Sequence, residues 1–208
     1  MNKNKKKLII QRYQDRFRKY GASINALASG SYDRQKIRFN TLKEVGIANG
    51  DKILDIGCGF ADFYEYLIAS GFQIDYTGID IVPELVESAK EKFPHLRIET
   101  RDIELSPIPN ASFDYVVCSQ VFNYNFKDES NLNMAIKMMQ IMFKIARKGV
   151  AIDFISNYVD FKEDHLFYFS PEVLFSEAKK VTKSVTLRHD MQLYEFCIYL
   201  YPDFKKWK

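Results

Sequence analysis

The segment Lys52-Ile53-Leu54-Asp55-Ile56-Gly57-Cys58-Gly59-Phe60-Ala61-Asp62-Phe63 joins a short apolar run to a two-glycine turn and then to a helical pattern. Gly57 and Gly59 carry no Cβ, so the backbone there can approach a ligand closely. A tight strand-to-helix connection uses the same residues, and this spacing alone leaves both readings open. A dinucleotide cradle of the Gly-x-Gly-x-x-Gly kind would place its third glycine where Asp62 stands, which counts against NAD or FAD. Two more acidic residues follow apolar runs, Asp80 in Tyr76-Thr77-Gly78-Ile79-Asp80 and Asp102 in Arg101-Asp102-Ile103. An ionised carboxylate has acceptor sites for two ligand hydroxyls at once. The alternative use of Asp80 is to cap the helix that starts near Pro83.

Elements that could hold these groups alternate from about Asp51 onward. The expected strands are Lys52 to Ile56, Asp75 to Ile79, Leu96 to Thr100, Phe113 to Ser119, Gly149 to Ile155, Ser184 to Arg188 and Glu195 to Tyr201. Helical patterns lie between them at Ala61 to Ser70, Pro83 to Phe93, Asn131 to Ala146 and Pro171 to Lys180. Pro83 and Pro171 sit near helix starts, where a missing backbone donor costs little. Such alternation predicts an α/β domain with a mainly parallel sheet. The last two strands are joined only by His189 to Tyr194, which suits an antiparallel hairpin. Upstream, Ile9, Tyr13, Phe17 and Tyr20 recur at helical steps and Ile37, Leu42 and Val45 follow, so Leu8 to Gly46 reads as helices covering the sheet or its mouth.

Taken in order, Leu54-Asp55-Ile56-Gly57-Cys58-Gly59, Tyr76 to Asp80 and Arg101-Asp102-Ile103 resemble the successive motifs of the class I S-adenosylmethionine-dependent methyltransferases, over roughly Asp51 to the C-terminus. The resemblance implies a Rossmann-like three-layer αβα sandwich with a mostly parallel seven-stranded sheet and an antiparallel last strand. It implies S-adenosylmethionine as cofactor and S-adenosylhomocysteine as product. Gly57, Cys58 and Gly59 would face the methionine part, with Asp55 helping to hold that region. Asp80, with Ile81 beside it, would accept from the ribose hydroxyls. Asp102 would accept from the exocyclic amine of adenine and Ile103 would pack on the ring. Ser119 and Gln120, at the end of the fourth strand, would lie beside the transferable methyl group. In the preceding helix, Gln35 or Arg38 would reach the cofactor carboxylate. The layout is similar to small bacterial-type members of undefined acceptor.

Methyl transfer from a sulfonium is an in-line displacement, so positioning supplies much of the acceleration. An alcohol acceptor gains from a base at the carboxyl end of a strand, and Asp153 and His189 are the candidates. The aromatic residues Tyr158, Phe161, Phe167, Tyr168 and Phe169 serve either an acceptor pocket or the core. The acceptor expected by elimination is a small polar molecule, an oxygen of a sugar or sugar-linked metabolite. Ser119-Gln120-Val121-Phe122 departs from the Asn/Asp-Pro-Pro-aromatic segment of base-nitrogen methylation, while other RNA or protein acceptors stay open. A noncatalytic cofactor-binding regulatory module is the alternative of another class, and a nicotinamide oxidoreductase a third.

At 208 residues with 47% hydrophobic side chains the chain suits one structural domain, with a tail and covering helices over 1–50 and the cofactor-binding part over 51–208. Thirty basic against 27 acidic side chains give no nucleic-acid signature, and Lys3, Lys5, Lys6 and Lys7 read as a solvated tail. No apolar run reaches the ~18 to 20 residues of a membrane span, nor is there a signal peptide, so a cytoplasmic protein is expected. Cys58, Cys118 and Cys197 and the histidines His95, His165 and His189 are scattered, predicting neither a disulfide framework nor a metal site.

Overall fold

The computed structural model describes residues 1–202. Its sheet has seven strands: β1 (Lys52–Ile56), β2 (Asp75–Asp80), β3 (Arg97–Thr100), β4 (Phe113–Cys118), β5 (Ala146–Ile155), β6 (Ser184–Arg188) and β7 (Glu195–Tyr201). They lie in the order β3-β2-β1-β4-β5-β7-β6. Neighbours from β3 to β5 are parallel, and β7 runs antiparallel to both β5 and β6. The order reverses between β1 and β4, the switch point at which open α/β sheets bind ligands.

Period-two alternation on strands buried on both faces builds two cores. Leu54, Ile56, Val116, Ile152, Phe154 and Ile198 pack against α5 (Ser130–Ile145) and α6 (Pro171–Val181). Ile53, Tyr115, Val117, Ala151, Cys197 and Tyr199 face the opposite layer. That layer holds α2 (Tyr32–Lys43), α3 (Asp62–Ala69) and α4 (Pro83–Lys92). Asp55, Asp153 and Glu195 stand two positions from residues of this second set, so the pleat turns all three toward α2 and α3. The arrangement is the expected αβα sandwich with one antiparallel strand.

Most element ends shift by a residue or two, and two differences are larger. β5 begins at Ala146, directly after α5, because Ala146 pairs with Phe113 across a register shift in β4. The lysine run is also no solvated tail. Asn2 caps α1 (Lys3–Tyr20) by accepting from the Lys5 amide, and Lys5 and Lys6 bond to Asp128 and Asp102. The apolar side of α1, Ile10, Tyr13 and Phe17, rests on Phe60, Val82 and Leu85. No described helix is long and apolar enough to cross a membrane.

Phe154 follows Asp153 on β5, is fully buried, and contacts the rings of Phe122, Phe169 and Phe196 at 6.0, 4.9 and 5.5 Å. Truncation would leave a cavity behind the strand end, so Phe154→Ala should lower unfolding free energy by ~3–5 kcal/mol in urea titrations.

Candidate functional site

A cavity of about 180 Å³ opens at the carboxyl ends of β1, β2, β3 and β4. Its floor carries Asp55, Gly57, Cys58, Gly59, Asp80, Ile81, Asp102, Ile103, Ser119 and Gln120. Its cover is Lys6, Ile9 and Tyr13 of α1, Leu27 and Ser29 of the following linker, and Gln35 of α2. Tyr124, Phe126, Met134 and Met138 close the side beside Ile103 and Phe122.

The turn after β1 depends on left-handed backbone, with φ +76° at Gly57 and +53° at Gly59. The left-handed conformation favours glycine at Gly59, where an added Cβ would meet Leu27 Cδ2 at 2.9 Å and displace that side-chain end. Asp80 braces the turn: its Oδ2 accepts from the Gly59 amide and its Oδ1 from the Val82 amide, each at 3.0 Å. Both oxygens keep lone pairs for ligand hydroxyls. Asp102 accepts from the Glu104 amide at 3.0 Å through Oδ1 and from Lys6 through Oδ2.

Behind the glycines, Asp55 is 4% exposed and accepts from Tyr76 Oη at 2.6 Å. Burial lifts its pKa to about 7; the Tyr76 bond opposes this, and the charges of Asp80, Asp153 and Asp62 add to it. Burial likewise pushes Asp80 up, against the amides of Val82 and Gly59.

At the far end of the cavity Ser119 Oγ donates to Asp153 Oδ2 at 2.5 Å. The Gln120 amide donates to Asp153 Oδ1 at 2.7 Å, and Gln120 Nε2 lies 3.3 Å from that oxygen and 3.2 Å from Glu195 Oε2. Gln120 adopts φ +60°, a left-handed conformation uncommon outside glycine, held here by these bonds. Arg38 pairs with Glu195 at 3.2 Å. Burial raises the Asp153 pKa, while the Arg38 charge and the Ser119 and Gln120 bonds oppose the rise.

Of the residues anticipated from the sequence, Gln35 and the ten on the floor line this one cavity. Arg38 does not: it is 2% exposed, spent on Glu195 and the Ser29 carbonyl, and Gln35 one turn earlier faces the cavity instead. Asp153 is 1% exposed and reaches the cavity only through Ser119 and Gln120. His189 is a correction. It lies exposed past the end of β6, an edge strand, with its ring beside Tyr158 and Phe196 and away from the cavity wall. Among the suspected acceptor aromatics, Phe169 is core, whereas Tyr158 and Phe161 are exposed. Tyr13, Lys6 and Glu195 were not anticipated as site residues. Tyr13 and Lys6 sit in a helix that only folding brings over the sheet.

Between pH about 4 and about 7 the folded chain holds an Asp55 proton that the unfolded chain has released, so stability falls as pH rises through this window. Asp55→Asn removes the dependence. Relative to wild type, its unfolding free energy should gain up to ~4 kcal/mol between pH about 4 and about 8 in denaturant titrations; a constant difference would contradict the shift.

Residues 53–160 match the methyltransferase domain family. A Mycobacterium tuberculosis protein named as a methyltransferase, Rv1506c, is 34% identical over 165 residues, covering 76% of this chain and 96% of that one. Demethylmenaquinone methyltransferase of Staphylococcus aureus is 26% identical over 174 residues, covering 81% of this chain and 69% of the relative. Among solved structures, magnesium protoporphyrin IX methyltransferase from Synechocystis with bound S-adenosylhomocysteine shares the fold at a TM-score of 0.64 and 14% identity, covering 95% of this chain and 99% of that one. The chain therefore belongs to the methyltransferase domain family, as a class I methyltransferase whose cofactor is S-adenosylmethionine.

Proposed function

We propose that the protein methylates a hydroxyl oxygen of a small polar acceptor, a sugar or sugar-linked hydroxyl in particular, with Ser119 and Asp153 as the path for the acceptor's proton. The observation that carries this reading is the 2.5 Å bond from Ser119, on the cavity wall, to the buried Asp153 carboxylate.

The donor set fits the cofactor. Two left-handed glycines leave room for its methionine part, with Gln35 and Ser29 above them. Asp80 offers both carboxylate oxygens to ribose hydroxyls, and Ile81 and Ile103 offer apolar faces to adenine. Asp102 is the acceptor for the exocyclic amine, an N–H donor like the Lys6 ammonium that bonds to it here. Small-molecule pockets usually measure ~300–1,000 Å³. The present cavity is smaller, and the cover that would have to move for a nucleoside to enter includes Lys6, Ile9 and Tyr13 of α1.

The bound cofactor supplies a methyl carbon made electrophilic by its sulfonium. Gln120, clamped by Asp153 and Glu195, forms the rigid wall against which the acceptor oxygen aligns. As the oxygen attacks, its proton passes to Ser119 Oγ while the Ser119 proton passes to Asp153 Oδ2. Such a step favours acceptors that lose a proton reluctantly, and sugar hydroxyls are of that kind. Demethylmenaquinone and magnesium protoporphyrin, in the names of the relative and the structural neighbour, are unlike one another, so the choice of acceptor rests on the proton path.

The test is transfer of isotopically labelled methyl from S-adenosylmethionine into a fractionated small-molecule extract, with the product read by mass. A methylated hydroxyl compound is expected, and Ser119→Ala should lower kcat ~100-fold while S-adenosylhomocysteine affinity holds. Label found only on macromolecules, or an unchanged kcat, would refute the reading.

A further inference from the structure

The proton path leaves a second buried carboxylate unused. Glu195 is 3% exposed, at the start of β7. Because β7 is antiparallel, its first residue pairs with Ile155 and so comes to the same sheet edge as the carboxyl ends of β4 and β5. There one amide nitrogen, Gln120 Nε2, lies between Glu195 Oε2 at 3.2 Å and Asp153 Oδ1 at 3.3 Å. One buried guanidinium, Arg38, faces the two carboxylates, bonding Glu195 at 3.2 Å.

We propose that Glu195 is a positioning residue that sets the proton affinity of Asp153, raising it when ionised and lowering it when protonated. The inference rests on the Ser119–Asp153 proton path. Its basis is the charge of the buried group. With both carboxylates ionised, Asp153, Glu195 and Arg38 sum to one negative charge, and a proton arriving on Asp153 brings the cluster to neutrality. With Glu195 already protonated the cluster starts neutral, and the same proton would leave a net positive charge in a low-dielectric interior, which is costly.

The charged and titratable groups around the pair are few. From α2 come Arg38 and, at 3.8 Å from Glu195, the half-exposed Arg34. From β1 comes Asp55, on the same face of the sheet, which feels the Asp153 charge. The Cys197 thiol lies on the same face, paired with Asp153 across β5 and β7, while the Cys118 thiol packs on the opposite face of the sheet; burial raises both well above the ordinary thiol range, so they carry no charge. His189 is directed at Phe196 and Tyr158. Burial carries Glu195 up to about 7, opposed by Arg38 and reinforced by Asp153, so its charge changes across the neutral range.

In the reaction the acceptor oxygen forms its bond to the methyl carbon as the carbon–sulfur bond breaks, its electron pair staying on sulfur. The hydroxyl proton goes to Ser119 Oγ and the Ser119 proton to Asp153 Oδ2; Asp153 later returns it through Ser119 to water. Turnover should therefore rise with pH as Glu195 ionises.

Carboxyl-carbon NMR of protein labelled at Asp and Glu tests this without an acceptor. In the wild type the Asp153 signal should show a second inflection at the Glu195 midpoint. In Glu195→Gln the Asp153 midpoint should fall by about one pH unit, a tenfold loss of proton affinity, and Glu195→Asp should restore most of it. A single Asp153 inflection in wild type with an unmoved midpoint in Glu195→Gln would overturn the proposal, as would Glu195→Asp behaving like Glu195→Gln. The wild-type curve needs no variant to fold. The proton path itself is tested separately by Ser119→Ala turnover, so either can fail alone.

Discussion

The site depends on the Asp80 carboxylate holding the Gly59 amide at 3.0 Å, because this bond ties the end of β2 to the turn that leaves β1. Without an acceptor there, a turn with two left-handed glycines, Gly57 and Gly59, would be a loose connection. With it, the turn is braced from the neighbouring strand, and the Gly57 and Cys58 amides donate to the Ile79 carbonyl at 2.8 and 3.1 Å to complete the brace. One charged group thus shapes the turn while keeping free lone pairs toward the cavity. Burial opposes its ionisation and the backbone amides of Val82, Gly59 and Ile81 favour it.

A second constraint comes from the sheet's one antiparallel strand. Parallel strands bring only their carboxyl ends to the ligand edge, whereas β7 brings its start, and with it Glu195. The pleat then turns Asp153 and Glu195 to the α2 face, where Arg38 is buried against them. Removing either partner of such a buried set leaves uncompensated charge, so α2 is bound to the sheet by electrostatics as well as by Phe39 and Leu42.

Much of this was legible in the sequence. β1, β6 and β7 run from Lys52, Ser184 and Glu195 as the alternation implies, since apolar strands between turn residues carry a strong local signal. The glycine turn, Asp80, Asp102 and Ser119 were legible because each follows directly from a strand end. Arg38, Lys6 and His189 were not, since their surroundings are set by packing between distant segments. Arg38 reads as reaching a cofactor carboxylate and Lys6 as part of a solvated tail, because local sequence does not show that their partners are Glu195 and Asp102. His189 failed for the complementary reason: a strand end at the sheet's edge is far from the switch point. Glu195 was counted only as the first residue of a strand, though its position in an antiparallel final strand was itself a signal.

The central claim, that Asp80 is the group holding both turn and ribose, is tested most directly by calorimetric binding of S-adenosylhomocysteine to wild type and to Asp80→Asn, which keeps one acceptor oxygen. Hydrogen bonds to a charged group contribute about 1.5–3 kcal/mol, so binding should weaken ~10- to 150-fold with the fold retained by circular dichroism. Equal affinities in the two proteins would contradict the account.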